Sequence, residues 1–285
     1  MTTTANGAQQ QTPFGREAHH RDGKRVINYS KDEHVAVIEM DDPPANTYTH
    51  EMLRQMDEAI LDARFDEDVE VIVVTGKGEK FFSAGANIAM LNSVTPEFKY
   101  MFCLHANETL SRFEQTPKLV IAALNGHCVG GGLEIAMACD MRIARQDGGK
   151  IGLPEVALGV LPGTGGTQRL ARLVGKSRAI ELMVTGRTFS FEQALDWGIV
   201  SDILEGDAAS FRAQILTYAK QFCTPNKAPM AVGHIKRAVQ TGLELPLQDA
   251  LALERELQSL LFKSQDAKEG IAAYNEKRMA QFKNK

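Results

Sequence analysis

Two kinds of hydrophobic periodicity alternate along the first two thirds of the chain. Short runs of β-branched and other apolar residues predict buried strands, at residues 34–40, 69–75, 119–124 and 140–144. Residues 49–64, between the first two runs, place apolar side chains at helical spacing behind Thr49, which predicts a helix with a threonine cap. Because strands that alternate with helices pair in parallel through right-handed crossovers, the predicted fold class is α/β.

Beyond about residue 186 the pattern becomes almost entirely helical. Apolar residues recur at helical spacing in five stretches, at residues 191–197, 208–222, 229–241, 246–263 and 266–282. No linker rich in proline, glycine or serine separates them from the rest. We therefore expect residues 26–200 to form an α/β core and residues 201–285 a helical region packed against it. Residues 1–25, which are polar and rich in threonine and glutamine, predict a disordered tail.

Composition and charge are typical of a globular protein that binds neither nucleic acid nor a membrane. The chain has 285 residues, of which 44% are hydrophobic, enough for a sizeable core. With 32 basic and 36 acidic residues, its net charge of -4 argues against a nucleic-acid partner. No apolar run reaches the roughly 18–20 residues that span a bilayer, so no membrane partner is expected. The four cysteines form no C-x-x-C pair, which is typical of thiols in a reducing compartment and favours the cytoplasm.

Three segments carry candidate chemistry. Glycines 130–132 precede Glu134, and a glycine run at the start of a helix offers free backbone N–H groups to an oxygen that gains negative charge. Glu155 follows Pro154 in the second segment, and residues 81–88 form the third. Two nearby carboxyl groups could move protons to and from a carbon and a water. Taken alone, a glycine triplet more often serves close packing or a tight turn, and a glutamate more often carries surface charge.

Together the segments resemble the crotonase (enoyl-CoA hydratase/isomerase) superfamily, and within it the enoyl-CoA hydratases. The resemblance covers residues 34–283 and is carried by ordered motifs: Ser83-Ala-Gly-Ala86, Gly130 to Glu134, Pro154-Glu155 and Pro162-Gly-Thr-Gly-Gly-Thr-Gln-Arg169. It implies a spiral of repeated ββα units with a helical C-terminal region. Three residues depart from the common pattern without removing the chemistry, namely Asn87, Ala89 and Leu153.

The resemblance also assigns catalytic roles. It implies that the backbone amides of Ala86 and Gly131 hold the thioester oxygen as an enolate forms. Glu134 is expected to activate a water and Glu155 to donate the proton, while the amide of Gly163 contacts the same water. The implied reaction is hydration of a trans-2-enoyl-CoA to a 3-hydroxyacyl-CoA.

Substrate and subunit contacts follow from the same resemblance. A coenzyme A thioester is the expected substrate, with no metal and no permanently bound cofactor. Ala84, Ala86 and Ile88 are expected to contact the coenzyme, and Phe262 and Lys277 to touch its nucleotide end. Phe262 is equally compatible with a core position, and Lys277 with a solvated helix charge. The helical region is expected to pack between subunits of a homo-trimer, or of a hexamer made of two trimers.

Several alternatives stay open. A double-bond isomerase, a thioester hydrolase or a C–C lyase would act on related substrates, although isomerases of this kind commonly keep only one of the two acids. A non-catalytic RNA- or CoA-binding protein of the same fold is a remote alternative, disfavoured by the acidic balance. Residues 88–114 either line an apolar acyl pocket or form core, through Met90, Leu91, Phe98, Met101, Phe102 and Leu104.

Overall fold

The computed structural model describes residues 23–285, so residues 1–22 of the predicted tail lie outside it. Its strands, in chain order, are β1 (Ile27–Asp32), β2 (Val35–Met40), β3 (Val71–Gly76), β4 (Phe81–Ser83), β5 (Leu119–Leu124), β6 (His127–Val129), β7 (Met141–Arg145), β8 (Lys150–Gly152), β9 (Phe189–Ser190) and β10 (Asp202–Leu204). The larger sheet has the order β1-β2-β3-β5-β7-β10, and all its pairs are parallel except β1 with β2. The smaller sheet has the order β4-β6-β8-β9.

Helices connect the strands and make up most of the C-terminal part. They are α1 (His50–Phe65), α2 (Ile88–Ser93), α3 (Pro96–Gln115), α4 (Gly131–Met137), α5 (Gly166–Val174), α6 (Lys176–Thr185), α7 (Phe191–Asp196), α8 (Ala208–Lys220), α9 (Pro229–Gly242), α10 (Leu247–Leu261) and α11 (Gln265–Glu276). A single 3-10 turn spans Glu155–Leu158. Within residues 23–285, no helix combines the length and the apolar character needed to cross a membrane.

The predicted α/β class is confirmed, and local sequence explains its elements. Strands β3 and β5 are buried along their whole length, as expected of parallel strands covered on both faces. Thr49 caps α1, because its side chain accepts a hydrogen bond from the Met52 amide at 3.2 Å. The apolar face of α1 packs into the main core, which lies on one side of the larger sheet. On the other side, Phe211 and Ile215 of α8 belong to a second buried cluster.

One buried ion pair attaches the helical region to the sheet. Lys236 of α9 lies 2.8 Å from the Asp140 carboxylate, which also accepts a hydrogen bond from the Val120 amide at 2.7 Å. The Lys236 ammonium donates two more hydrogen bonds, to the backbone carbonyls of Phe113 and Lys118. Asp140 therefore links α9 to β5.

The structure also differs from the hydrophobic pattern in places. The pattern gave no signal for β1 or for the short strands β4, β6, β8 and β9, whose two or three residues are too few to show a period. The stretch from residue 201 starts with β10, which pairs with β7, before the helices begin. The last predicted helix was placed at 266–282, but α11 ends at Glu276 because Lys277 adopts a left-handed conformation with φ of 54°.

Candidate active site

Two backbone segments meet where β4 and β6 end beside each other in the smaller sheet. The chain leaves β4 through Gly85 and leaves β6 through Gly130, and both glycines have positive φ, 86° and 56°. A Cβ atom built on Gly85 would lie 2.9 Å from the backbone nitrogen of Gly131. Because these two backbones approach so closely, Ala86 and Gly131 are neighbours, although they belong to separate motifs of the sequence.

The amides of Ala86 and Gly131 are free to bind a ligand. Within residues 23–285, neither N–H donates a hydrogen bond to the protein. Gly131 is the first residue of α4, where backbone N–H groups have no intrahelical acceptor. Ala86 is held in place by its neighbours, since the Asn87 amide donates to the Tyr48 carbonyl and the Tyr48 amide donates to the Gly85 carbonyl. Two such donors can stabilise one developing oxyanion.

The Glu134 carboxyl lies on the first turn of α4 and is almost fully buried, with 1% of the residue exposed. One carboxylate oxygen accepts hydrogen bonds from the amides of Thr164 and Gly166, each at 2.8 Å. The other accepts a short hydrogen bond from the Thr164 hydroxyl. These three bonds satisfy the oxygens of a buried carboxyl group and fix its orientation.

Thr164 and Tyr48 complete this network, and sequence reasoning did not select either of them. The Tyr48 hydroxyl lies 3.4 Å from the Thr164 hydroxyl, and burial raises the pKa of this tyrosine, which stays neutral. Its ring stacks on Phe102 with centroids 5.7 Å apart. A signal for Thr164 was available, since it is the hydroxyl residue beside Gly163 in the glycine-rich motif. No sequence signal was available for Tyr48, because its contact with Thr164 is a tertiary contact between distant segments.

The Glu155 carboxyl has a different environment. It opens the 3-10 turn, is half-buried, and its Oε2 atom has no hydrogen-bond partner among the residues that the structure describes. Burial raises its pKa to about 7, with the nearby Glu134 adding to the rise and Lys99 opposing it. Near neutral pH a large fraction of this carboxyl is therefore protonated and can act as an acid, while Glu134 lies among hydrogen-bond donors.

Both carboxyls open into one cavity of about 340 Å³. Ala84, Ala86, Ile88 and Gly163 line it too, and their roles in binding or catalysis stay predictions. Much of the remaining wall is apolar, formed by Tyr48, Leu91, Val94, Leu158, Val160 and Leu161. Gly131 is not part of the lining, but its neighbour Gly130 is. The cavity thus combines the free amide of Ala86, two unlike carboxyls and an apolar wall, which suits a conjugated carbonyl compound that exchanges protons.

Some predicted residues lie elsewhere. Phe262 and Lys277 are exposed and are not part of this cavity, so their expected contact with the coenzyme stays a prediction. Of the six residues expected to make the acyl wall, Leu91 lines the cavity and Phe102 is buried behind it. Within residues 23–285, no group of three acidic, histidine or cysteine side chains is placed to hold a metal ion.

Helix α3, which forms part of the wall, is attached to α5 by one ion pair. Arg169 of α5 donates two parallel hydrogen bonds to the Glu114 carboxylate, at 2.7 and 2.8 Å. The same guanidinium donates to the Thr164 carbonyl at 3.3 Å. Both side chains are largely shielded from water, so the pair is held more firmly than a surface ion pair.

Comparisons with known proteins identify the family of the chain. The sequence profile described as enoyl-CoA hydratase/isomerase matches residues 30–285. The short-chain-enoyl-CoA hydratase of Clostridium acetobutylicum is 37% identical over 259 residues, covering 90% of this chain and 97% of that protein. The crotonyl-CoA hydratase of Syntrophomonas wolfei is 35% identical over 262 residues, covering 91% and 98%. A crystal structure of enoyl-CoA hydratase from Geobacillus kaustophilus has a TM-score of 0.88 at 46% identity, covering 92% of this chain and 98% of that one. The chain therefore belongs to the enoyl-CoA hydratase/isomerase family, the crotonase superfamily.

Proposed function

We propose that this protein adds water to a trans-2-enoyl-CoA and releases a 3-hydroxyacyl-CoA. The observation that carries the proposal is the pair of unlike carboxyls, Glu134 and Glu155, in one cavity whose wall includes Ala86 and Gly130, the neighbour of Gly131. The amides of Ala86 and Gly131 are both free. Relatives named for crotonyl-CoA and short-chain enoyl-CoA hydration support the choice of substrate class. No metal or bound cofactor takes part in this proposal.

The first requirement is a place for negative charge. When water adds to the β-carbon, the thioester carbonyl becomes an enolate, and its oxygen needs donors that are already in position. The Ala86 and Gly131 amides supply two, and Gly131 begins a helix, whose dipole adds a favourable partial charge. Removal of one donor of this kind typically costs about 2.7–4 kcal/mol of transition-state stabilisation.

The second requirement is paired proton transfer. Glu134 accepts a proton from a water that also contacts the Gly163 amide, and the water oxygen bonds to the β-carbon. Glu155 donates its proton to the α-carbon, which converts the enolate into the hydroxyacyl thioester. Proton exchange between the two carboxyls and water then restores the starting state, so one water is consumed for each product.

The related reactions give different products, so one experiment separates them. Purified protein is incubated with crotonyl-CoA, and mass spectrometry follows the products while absorbance follows the conjugated double bond. Hydration adds the mass of one water and removes conjugation. Isomerisation leaves the mass unchanged, a hydrolase or a lyase cleaves the thioester or a C–C bond, and a binding protein leaves crotonyl-CoA intact. Isomerisation or cleavage would refute the proposal, and so would failure of the protein to hydrate crotonyl-CoA and longer trans-2-enoyl-CoA substrates alike.

The C-terminal helices suggest how the chain assembles. Several large apolar side chains on α9 to α11 face outward, among them Leu243, Leu247, Phe262 and Tyr274, the last with 85% of its surface exposed. An apolar surface of this kind favours burial between subunits. We therefore propose a homo-trimer, or a hexamer of two trimers, in which Phe262 and Lys277 contact the coenzyme bound to a neighbouring subunit.

The cysteines bear on the cellular compartment in which the enzyme acts. All four are free thiols, and three of them are buried. Thiols of this kind persist in a reducing environment, so we propose that the protein acts in the cytoplasm.

A further inference from the structure

Lys99 stands out in the wall of the catalytic cavity. Among the described residues that line it, Lys99 is the only basic one, and the only other charged side chains are Glu134 and Glu155. It lies near the start of α3 and is half-buried, with its ammonium 4.9 Å from the centroid of the Phe102 ring. The same Phe102 ring stacks on Tyr48, so Lys99 belongs to the wall next to the catalytic network.

The other basic residue of α3, and the arginine that attaches α3 to α5, already have carboxylate partners. Arg112 of α3 is paired with Asp57, and Arg169 of α5 is paired with Glu114. Within residues 23–285, the Lys99 ammonium forms neither an ion pair nor a hydrogen bond, and an aromatic face is its one close partner. A partly desolvated cation without an anion is unfavourable, and a bound anion would stabilise it.

We propose that Lys99 binds a carboxylate at the far end of the acyl chain, so that the preferred substrate is an enedioyl-CoA, a 2-enoyl-CoA that carries a second, terminal carboxylate. This inference rests on the proposed hydration and specifies its substrate class. The apolar residues Leu91, Val94 and Val160 of the same cavity suit the methylene groups between the two ends.

Two anions of such a substrate could reach a lysine, the acyl carboxylate and the phosphates of coenzyme A. The position of Lys99 favours the carboxylate. Its ammonium lies over the Phe102 ring, which stacks on Tyr48, and the Tyr48 ring is next to Gly131, so Lys99 lies on the catalytic side of the cavity. The residues expected to contact the coenzyme are on other segments, at Ala84 to Ile88 before α3 and at Phe262 and Lys277 in the C-terminal helices.

A matched pair of substrates tests the proposal. The enzyme is assayed with trans-2-hexenedioyl-CoA and trans-2-hexenoyl-CoA, which share length and coenzyme and differ in the terminal carboxylate. We expect the wild type to have the higher kcat/KM for the dioyl substrate, and Lys99→Met to lower the ratio of the two kcat/KM values by about 10- to 100-fold, the range for a hydrogen bond between charged groups. Lys99→Arg should restore most of the ratio, because it keeps the charge.

Lys80→Met provides the matched control. Lys80 also lies over an aromatic ring, 5.6 Å from the centroid of Phe81, but it is exposed and outside the cavity. This variant should leave the ratio at its wild-type value. Circular dichroism and the native mass establish that each variant is folded before the ratios are compared.

Each other outcome has a defined meaning. If Lys99→Met lowers kcat/KM for both substrates equally, the lysine acts on the phosphates or on Glu155, and the proposal is wrong. The same holds if the wild type prefers hexenoyl-CoA. If a folded wild type hydrates neither substrate nor crotonyl-CoA, the proposed hydration itself fails, which is a separate result from a changed preference.

Discussion

The side chain and the backbone of Thr164 both donate hydrogen bonds to the carboxylate of Glu134. Because the threonine proton is directed to the carboxylate, its oxygen remains as the acceptor for the Tyr48 hydroxyl 3.4 Å away. Tyr48 thus donates to Thr164, and Thr164 donates to Glu134, the proposed base. Thr164 therefore aims the carboxylate at the cavity, although it does not line the cavity itself.

Thr164→Val tests this positioning role. The valine keeps the size and the backbone amide but removes the hydroxyl, so we expect kcat to fall by about 10- to 100-fold while KM changes little. Thr164→Ser is the matched control, since it keeps the hydroxyl and should recover most of the rate. Steady-state kinetics on crotonyl-CoA measure both values, and a fully active valine variant would remove Thr164 from the mechanism.

Substitution of the two acids tests the division of labour. Glu134→Gln and Glu155→Gln should each lower turnover by about 10²–10⁴-fold, the usual contribution of a positioned acid or base. Calorimetric titration with butyryl-CoA, a saturated analogue, should give nearly unchanged affinity, because neither carboxyl is assigned to the coenzyme. Near-normal hydration by one variant would show that its role is wrongly assigned.

The ionisation of Glu155 predicts a pH dependence. In the folded protein the pKa of this carboxyl is raised to about 7, so its acid form is present below that value and is lost as the pH rises through it. If the protonated form donates the proton, kcat/KM should fall on the alkaline side with a midpoint near pH 7. In Glu155→Gln the residual rate should lose this alkaline limb. A flat profile in the wild type would contradict the assignment.

A substitution at Gly131 should disturb folding as well as catalysis. The first position of a helix usually accepts a side chain, but a Cβ atom on Gly131 would lie 1.8 Å from the buried ring of Tyr48. We expect Gly131→Ala to lower the free energy of unfolding by about 1–3 kcal/mol, as overpacking does, and to reduce activity. Gly242→Ala is the control, because its new methyl group would lie 3.5 Å from the Ala250 side chain. Chemical denaturation of both variants and the wild type measures the difference.

Light scattering tests the assembly. A native mass of three or six chains is expected, because the apolar side chains exposed on α9 to α11 require cover. Phe262→Asp should shift the mass toward the monomer while leaving the helical circular-dichroism signal in place, since 60% of Phe262 is exposed in the single chain. A wild-type monomer at assay concentration would refute the proposed oligomer.

The motifs of the sequence predicted which segments the fold would bring together. Glycines at 85 and 130 mark the places where two strands end and their backbones approach. The catalytic roles of Ala86, Gly131 and both acids stay predictions. The main strands and α1 were equally visible, because each is long enough to show a hydrophobic period. Even the Thr49 cap could be predicted, since it depends only on the next three residues.

Contacts between distant segments could not be predicted in this way. Tyr48 and Thr164 are 116 positions apart, and their meeting depends on how the sheets and helices pack. Lys99 lies in a stretch for which an apolar acyl pocket and a core position were both open. That its ammonium has no ion-pair partner among the described residues becomes visible only when its surroundings are known. The early end of α11 depends on the left-handed conformation of Lys277. Lysine rarely adopts this conformation, so the sequence did not predict it.

The ion pair between Glu114 and Arg169 couples the position of α3, which forms part of the cavity wall, to the position of the proposed base, Glu134. Arg169 holds α3 through Glu114 and holds the backbone of Thr164, whose amide and hydroxyl hold Glu134. A substrate tail that displaces α3 would therefore also displace the base, and poor fit would appear as slow turnover as well as weak binding. Substitutions that enlarge this pocket should therefore be made at the start of α3, and Glu114 should be kept because it attaches the end of that helix to Arg169.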